Sequence, residues 1–266
     1  MSELISLDII IPVFGRPDLL QKCIDSIFAT VDDVSFKLIL VDDASPKKEE
    51  MEPIYKELKF KARIERNPEN LGFPATCNKG VKVGYAPLIL LVNSDIELKP
   101  GCVRAMLNEM SDPNVAVVGA RLLFPEDEQH GSHAGTTQHC GQAYNMHAQI
   151  IHPCIGWRAG HPRTMRRRDD LSSVTGALFL TRRTVWQRLG GFDIGYAKGT
   201  FEEVEFCTRA KVELNGKIVY TPDACAIHHA GASAVSAGVG FPVQANRLRF
   251  LERCGAHLVW NEFTLW

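Results

Sequence analysis

The chain has 266 residues, a formal net charge of −1 and an apolar fraction of 45%. That length suits one large α/β domain, or a domain with a small appendage, and is sufficient to bury a core. The near-neutral charge excludes a whole-molecule field that would draw the chain onto nucleic acid or anionic lipid.

The first half of the chain alternates between apolar strands and helices. Leu7–Val13 is a β-branched run that predicts a buried strand, and apolar residues follow at helical spacing from Pro17. Further strands are predicted at Leu38–Val41 and Leu88–Val92, and further helices at Thr76–Tyr85 and from Pro100. This alternation is typical of a mostly parallel sheet with helices on both faces.

The second half begins with an irregular segment. Residues 125–168 contain many glycines, several histidines without metal-ligand spacing, and little periodicity. We therefore expect an irregular excursion over one sheet edge that could contact a substrate. Regular structure is then predicted as a strand at Val174–Thr181, helices at Arg182–Leu189 and Glu202–Leu214, a strand at Ile218–Tyr220 and a final helix at Phe241–Glu252. The aromatic tail, with Trp260 and Trp266, is expected to pack on the domain or to form a homodimer contact.

Cysteine usage and hydropathy suggest a location. The eight cysteines are scattered through apolar segments without a Cys-x-x-Cys pair, which favours buried thiols in a reducing compartment. Met1–Leu4 show no start of a secretion signal, and no apolar run approaches the ~20 residues that span a bilayer. The sequence therefore predicts a cytoplasmic protein.

Polar side chains cluster where predicted strands end. Asp42 and Asp43 follow the second strand, and Ser94 and Asp95 follow Leu88–Val92. Ligands of parallel sheets bind at this edge. Paired carboxylates can accept hydrogen bonds from a base edge and a ribose hydroxyl, and a carboxylate such as Asp95 can hold a hard divalent cation that bridges a diphosphate. Solvated turns with aspartate caps are the simpler explanation of either segment taken alone.

Two further polar groups lie in the second half. Glu202, Glu203 and Glu205 crowd a helix start, where they either complement the helix dipole or supply a general base. Neighbouring carboxylates tend to raise each other's pKa, which favours a base. His228 follows a predicted strand, and it either completes a metal site with Asp95 or lies in a surface turn.

In this order and spacing, the segments resemble the family 2 glycosyltransferases of the GT-A fold, particularly the rhamnosyltransferase-like bacterial branch. The resemblance covers about residues 6–235. It is carried by Asp8–Phe14, Arg16-Pro17, Val41–Ser45, Asn67–Phe73, Leu91–Asp95, Val118-Gly119, His133–Gly135, Thr175–Ala177, Gly190–Asp193, Phe201–Cys207 and His228–Ser233. It implies a GT-A domain at 1–235, with a nucleotide-binding half at 1–120 and an acceptor-binding and catalytic half at 121–235, followed by a C-terminal helix and tail at 236–266.

The resemblance also implies a role for each site residue. The positions that it assigns to nucleotide-sugar binding are Pro12, Arg16, Asp42, Asp43, Asn70, Gly72, Ser94 and Gly176. Asn93–Asp95 is similar to the family's Asp-x-Asp motif with asparagine in first place, so Asp95 and His228 are the implied ligands of Mn²⁺ or Mg²⁺. Glu203 stands where the family has an aspartate base, and its longer arm leaves Glu202 as a second candidate.

The implied reaction is metal-dependent transfer of a hexosyl or deoxyhexosyl group from a UDP-, dTDP- or GDP-linked sugar. The acceptor would be the hydroxyl of a glycan, a lipid-linked molecule or another compound. Metal would stabilise the leaving diphosphate while Glu203 takes the proton of the attacking hydroxyl. The family further implies inversion at the anomeric carbon.

Other functions are weighed against this one. A dinucleotide oxidoreductase would need Gly-x-Gly-x-x-Gly after the first strand, and a nucleotidyltransferase would need a glycine-rich, arginine-bearing loop where this chain has Pro12–Pro17. A degenerate nucleotide-sugar-binding module is disfavoured because Asp95 and Glu203 are retained. The run Arg166–Arg168 leaves open an anionic acceptor, such as lipid phosphate or modified DNA. Its neighbours Asp169-Asp170 make a solvated loop the simpler explanation, and no stronger nucleic-acid or membrane signal is present.

Overall fold

Strands and helices alternate through most of the described chain. The computed structural model describes residues 6–32, 34–46, 48–145, 147–229 and 240–258. Its elements in chain order are β1 (Ser6–Val13), α1 (Pro17–Thr30), β2 (Ser35–Asp42), α2 (Lys48–Glu57), β3 (Ala62–Arg66), α3 (Phe73–Val83), β4 (Leu88–Val92), β5 (Ile96–Leu98), α4 (Cys102–Glu109), β6 (Val115–Leu123), β7 (Thr137–His139), β8 (Ala143–Tyr144), β9 (Ile150–Ile151), β10 (Leu178–Arg182), α5 (Arg183–Leu189), α6 (Glu202–Leu214), β11 (Lys217–His228) and α7 (Val243–Cys254).

The central sheet is mixed and mostly parallel, as predicted. Its strand order is β3-β2-β1-β4-β10-β6-β11-β5, and β7 pairs with β6 outside this path. The strands β1, β2, β3 and β4 are parallel, and β6 is parallel to β11. Among the described strands of this sheet, β10, β5 and β7 run antiparallel to their neighbours. The α/β architecture expected from the sequence is therefore confirmed.

The two faces of the sheet bury separate apolar cores. In β1, Ile9 and Ile11 pack into one core and Ile10 into the other, because successive side chains of a strand point to opposite faces. The helices α1, α2 and α4 cover the first face, and α3, α5 and α6 cover the second. The central strands are thus buried on both faces, which explains why their sequences are continuous apolar runs.

Two antiparallel pairings bring distant segments to the carboxyl end of β4. Because β10 runs against β4, it begins where β4 ends, with Leu178 paired to Val92. Residues 175–177 therefore lie beside residues 93–95. Beyond residue 95 the chain enters β5. This strand pairs antiparallel with β11, so His228 lies opposite Ile96, the first residue of β5. Three segments from separate parts of the sequence consequently meet at one point.

Two predicted strand limits were wrong. The predicted strand Val174–Thr181 begins only at Leu178, because the residues before it form a turn. The predicted strand Ile218–Tyr220 continues to His228 as β11. The register of β11 against β6 shifts around Pro222-Asp223, so a bulge carries the strand past two residues that usually interrupt strands.

The middle segment is irregular, as expected. Among the described residues between β6 and β10, the regular structure is a short 3₁₀ turn and the short strands β7, β8 and β9. All eight cysteines are free thiols, and all except Cys225 are buried, which agrees with the predicted buried thiols. Within the residues that the structure describes, no helix is long and apolar enough to cross a membrane.

The C-terminal helix α7 packs on the domain. Its residue Phe250 is fully buried against Tyr196, Phe201 and Val204, which precede or belong to α6. Arg253 of α7 also donates to Glu205 of α6 over 2.9 Å. Trp260 and Trp266 lie outside the described residues, so the predicted tail packing or homodimer contact stays a prediction.

Candidate active site

A cavity of about 370 Å³ lies at the carboxyl ends of β1, β2 and β4. The predicted site residues that line it are Pro12, Asp43, Asn70, Gly72, Ser94, Asp95, Gly176, Glu202, Glu203 and His228. The sheet explains most of this convergence, since these residues lie at or just after strand ends or in segments that β10 and β11 bring to the same edge, whereas Glu202 and Glu203 begin α6.

Asp43 organises one side of the cavity. Its Oδ1 accepts hydrogen bonds from Asn67 Nδ2 at 2.7 Å and from the Leu71 amide at 2.8 Å, and its Oδ2 accepts from the Gly72 amide at 2.9 Å. These bonds wrap the loop after β3 around the carboxylate and place Asn70 and Gly72 on the cavity wall. A carboxylate has about four acceptor positions, so Oδ2 can accept one further hydrogen bond from a ligand.

The structure does not bring Asp42 and Arg16 to the cavity. Adjacent strand residues point to opposite faces, so only one of the two aspartates can face the ligand side. The carboxylate of Asp42 is fully buried, pairs with Arg66 and accepts from the Ser45 amide at 2.7 Å. Arg16 is paired instead with Asp18 at 2.6 Å on the surface. Both predicted nucleotide contacts thus stabilise the turns beside the cavity and do not line it.

Asp95 and His228 lie next to each other on the wall of the cavity. Asp95 Oδ1 lies 3.3 Å from His228 Nε2, and both side chains are almost completely buried. The neighbouring His229 points elsewhere, because its Nε2 is 2.6 Å from Glu97 Oε1. Of the two adjacent histidines, His228 is therefore the one that the structure brings to Asp95. The Oδ1 atom of Asn93, also on the wall, is buried without a hydrogen-bond partner.

These donors fit a divalent cation that is shared with a ligand. Gln138 Oε1 lies 2.6 Å from Nδ1 of His228, so a neutral imidazole would keep its proton on Nδ1 and leave Nε2, on the side of Asp95, free to bind a cation. One imidazole nitrogen, one carboxylate and the unpaired oxygen of Asn93 are oxygen and nitrogen donors of the type that Mn²⁺ and Mg²⁺ accept. Among the described residues, no set of three or more His, Cys, Asp or Glu side chains could hold a metal. A cation here would thus need ligand phosphates and water to complete its coordination.

Glu202 and Glu203 begin α6 and are both buried. Burial, together with repulsion from Glu203, raises the pKa of the Glu202 carboxyl well above its ordinary value. Burial also raises the pKa of Glu203, whereas a 3.2 Å hydrogen bond from Gln142 Nε2 to Glu203 Oε1 lowers it. Each glutamate has its Oε2 buried without a partner in the described structure. Glu203 therefore keeps its negative charge at pH values where Glu202 is already protonated.

The segment 198–201, just before α6, forms another wall of the cavity and was not predicted. Its four residues all have φ between 68° and 123°, although only one is glycine. This backbone is strained for side-chain-bearing residues. Asn246 of α7 holds it by donating to the Gly199 carbonyl at 2.7 Å, while Lys198 Nζ donates to Asn70 Oδ1 at 3.0 Å. Gly72 lies so close that a Cβ there would approach the Lys198 nitrogen to 2.7 Å.

The arginine run at residues 166–168 is not part of this site. Its second arginine pairs with Glu109 at 2.9 Å, and its third pairs with Asp170 at 2.9 Å. The backbone of the third arginine is hydrogen-bonded to Tyr220, near the start of β11, whereas His228 ends the same strand. The preferred interpretation of this run, a solvated loop beside Asp169-Asp170, agrees with these ion pairs, and the run lies toward the start of β11 and away from His228.

Residues 8–189 match the model of the family described as Glycosyl transferase family 2, and the chain belongs to this family. Over 235 residues it is 30% identical to the O-antigen biosynthesis protein RfbC of Myxococcus xanthus. That match covers 85% of this chain and 17% of the relative, so the chain spans less than a fifth of that protein's length. Glu202, Glu203 and His228 lie beyond the family match, and only the structure places them at the cavity.

Two solved structures share the fold. GalNAc-T7 with UDP, GalNAc and Mn²⁺ has a TM-score of 0.72 at 13% identity, over 99% of this chain and 50% of that one. The mannosyltransferase PcManGT from Pyrobaculum calidifontis, in complex with GDP-Man and Mn²⁺, has a TM-score of 0.62 at 14% identity, over 96% and 64%. The fold is therefore that of the GT-A glycosyltransferases, and glycosyl transfer is the function that the family supports.

Proposed function

We propose that this chain is a metal-dependent, inverting glycosyltransferase that moves a hexosyl or deoxyhexosyl group from a nucleoside-diphosphate sugar to an acceptor hydroxyl. One observation carries the proposal: the Asp95–His228 pair and the buried carboxylate of Glu203 line the same cavity. Such a cavity can hold a diphosphate beside Asp95 and His228 and an acceptor hydroxyl beside Glu203. Family membership and the nucleotide and Mn²⁺ in the two similar structures support the donor class.

Asp95 and His228, with Asn93 as an oxygen donor, would hold Mn²⁺ or Mg²⁺. When bound, the cation would neutralise charge on the departing diphosphate. Asp43 and the loop that carries Asn70 would bind the nucleoside part of the donor, which can be UDP, dTDP or GDP. The burial of this wall keeps water away from the donor and strengthens each charge interaction.

Glu203 would take the proton of the acceptor hydroxyl as that oxygen attacks the anomeric carbon. Its raised pKa favours this role, because a base works best when its pKa is near the working pH. Glu202 is more readily protonated and would donate a hydrogen bond to a sugar hydroxyl. The acceptor class, a glycan, lipid-linked or other hydroxyl, is part of the proposal, as is a cytoplasmic location, for which the eight free thiols are support.

Calorimetry can test the donor site. The protein is titrated with UDP, dTDP and GDP, each with Mn²⁺ and with EDTA, beside Asp95→Ala. We expect one nucleotide to bind only with Mn²⁺ and its binding to be lost in the variant. Hydrolysis of the matching nucleotide sugar, lost in Glu203→Gln, then shows catalysis.

A degenerate nucleotide-sugar-binding module is the competing function. It would bind the nucleotide without any hydrolysis of the sugar donor. Binding that is indifferent to metal and to Asp95 would contradict the proposed metal–diphosphate site. Glu252→Gln, an exposed glutamate on α7, is the control for Glu203→Gln, because it removes the same charge away from the cavity.

A further inference from the structure

Two buried glutamines lie behind the cavity on one short segment. Gln138 belongs to β7, and Gln142 lies four residues later, just before β8. Their side chains are 8% and 3% exposed, and neither lines the cavity. The segment is fixed to the domain, since β7 pairs with β6 and the backbone N–H of Gln142 donates to the Ser173 carbonyl at 2.9 Å. Gln138 contacts His228, the proposed metal ligand, and Gln142 contacts Glu203, the proposed base.

The contacts of Gln138 define the tautomer of a neutral His228 ring. Gln138 Nε2 donates to the backbone carbonyl of His228 at 3.0 Å. A carbonyl oxygen can only accept, so the amide nitrogen must face it and Gln138 Oε1 must face Nδ1 of His228, 2.6 Å away. The neutral imidazole then carries its proton on Nδ1. Its Nε2 lone pair is left for the side on which Asp95 lies at 3.3 Å.

The contacts of Gln142 act on Glu203 by the same logic. The Ser173 hydroxyl, which is fully buried, donates to Gln142 Oε1 at 2.8 Å. Nε2 of Gln142 faces Glu203 Oε1 at 3.2 Å and donates to it, since an ionised carboxylate can only accept, and this leaves Gln142 Oε1 for the hydroxyl. The amide can only donate to that carboxylate, so it favours the charged, proton-accepting form of Glu203.

We propose that Gln138 and Gln142 are a pair of positioning residues: Gln138 presents Nε2 of His228 to the metal, and Gln142 holds Glu203 as an oriented carboxylate. This inference rests on the proposed function, because it assumes that His228 binds metal and that Glu203 is the base. Hydrogen-bond partners behind a metal-binding histidine fix its tautomer and orientation, and their loss weakens metal binding by about 10–100-fold. One rigid segment would thus set the geometry at both ends of the reacting bond.

Gln142 is the largest of the contacts that stabilise the charge of Glu203, and the backbone amides of Glu203 and Val204 act in the same direction. From its own helix it faces Glu202 and Cys207, and neither group stabilises its negative charge. From the segment before β10 it faces Gly176, whose added Cβ would lie 3.5 Å from Glu203 Cβ. Burial raises the pKa of Glu203, and the amide of Gln142 is the largest influence in the opposite direction.

Replacing each glutamine by methionine and by glutamate separates the two roles. Gln138→Met should raise the Kd of Mn²⁺, measured by electron paramagnetic resonance with the preferred nucleoside diphosphate, by about 10–100-fold. Gln138→Glu should bind Mn²⁺ more tightly than Gln138→Met, because a carboxylate still accepts from Nδ1 although it no longer donates to the His228 carbonyl. Gln187→Met, an exposed glutamine on α5, is the control and should leave the Kd unchanged.

At position 142 the two replacements should act in the same direction. Gln142→Met removes the donor to Glu203, and Gln142→Glu adds a repelling charge. Both should move the acidic limb of the donor-hydrolysis pH profile to higher pH, with the larger shift for Gln142→Glu, while Mn²⁺ affinity is retained. The glutamate variants are close in size to glutamine, and a melting temperature measured for each variant identifies any that is not folded.

The outcomes distinguish this inference from the proposed function. If the unaltered protein binds no Mn²⁺ with any nucleotide, the metal site fails and the role of Gln138 fails with it. If the unaltered protein binds Mn²⁺ and hydrolyses donor but the folded methionine variants match it in Kd and pH profile, only the positioning roles are overturned. A Gln138→Glu variant that binds Mn²⁺ as weakly as Gln138→Met would also contradict the role of Gln138.

Discussion

His228 lies 3.3 Å from Asp95 because β5 and β11 are antiparallel neighbours, although the two residues are far apart in the sequence. The strand pairing also turns the next residue, His229, toward Glu97. The two adjacent histidines therefore have different partners, so a variant of His229 can serve as the control for the same variant of His228.

His228→Ala should weaken Mn²⁺ binding in the presence of nucleotide by at least about tenfold, because the only imidazole that faces Asp95 among the described residues is lost. His229→Ala should leave the Mn²⁺ affinity within about twofold, since its ring is bound to Glu97. Equilibrium titration of both variants checks this. Equal losses in the two would contradict the assignment of His228.

Glu203→Gln should reduce donor hydrolysis by about 10²–10⁴-fold, which is the usual contribution of a general base. Glu202→Gln should reduce it far less, because a glutamine can still donate the hydrogen bond that protonated Glu202 would donate. The rate of the unaltered protein should fall as pH drops through the pKa of Glu203. Because burial raises that pKa, this fall should occur at a higher pH than for an ordinary glutamate. A larger loss in Glu202→Gln would assign the base to Glu202.

Glu202 should make the protein less stable as pH rises. Its pKa is raised in the folded protein from an ordinary value of 4.5, so between these two values the unfolded chain has released the proton and the folded chain keeps it. The free energy of unfolding therefore decreases with pH across this window, and below 4.5 the group contributes nothing.

Glu202→Gln should accordingly raise the melting temperature at about pH 8 and leave it nearly unchanged at about pH 4. The exposed Glu252→Gln should change the melting temperature at neither pH. Calorimetric unfolding of the three proteins at both values checks the prediction. A uniform shift at both pH values would indicate packing rather than ionisation.

Asn246→Ala should destabilise the domain and weaken donor binding together. Asn246 is buried and donates to the carbonyls of residues 199 and 200, which hold the strained segment 198–201 on the cavity wall. Loss of these bonds should lower the free energy of unfolding by about 1–3 kcal/mol. Urea titration and nucleotide binding measure both effects, with exposed Gln244→Ala on the same helix as the control. Unchanged nucleotide affinity would show that the segment does not contribute to the donor site.

The sequence predicted those parts of the site that directly follow apolar strands. Asp43 and Asp95 could be found because the runs before them are continuous and the edge of a parallel sheet is where ligands bind. Asp42 could not be separated from Asp43 by this reasoning, because both residues end the same run. Only the alternation of β2 shows which of the two faces the cavity.

Other parts of the molecule could not be predicted, because their short sequence segments have no clear hydrophobic pattern. The helix α2 buries only Met51 and Ile54, and the edge strand β3 has mostly charged residues, so neither produces a clear hydrophobic period. Gln138 and Gln142 act through residues that are 90 and 61 positions away. No pattern within a short window reports such contacts, because the pairing of β6 with β7 and β11 creates them.

The position of β10 has a consequence for how the chain folds. Its two neighbours in the sheet are β4 and β6, so the strands β1 to β4 cannot join β6 and β11 until residues 178–182 have returned between them. Such a distant closure slows folding relative to chains with local contacts. A truncation just before β10 would leave both β4 and β6 with open edges, which are templates for aggregation. Expression of residues 1–120 by themselves should therefore yield an insoluble product, and a dissection of this protein should keep residues 6–258 in one piece, because α7 packs on α6 and holds the cavity wall.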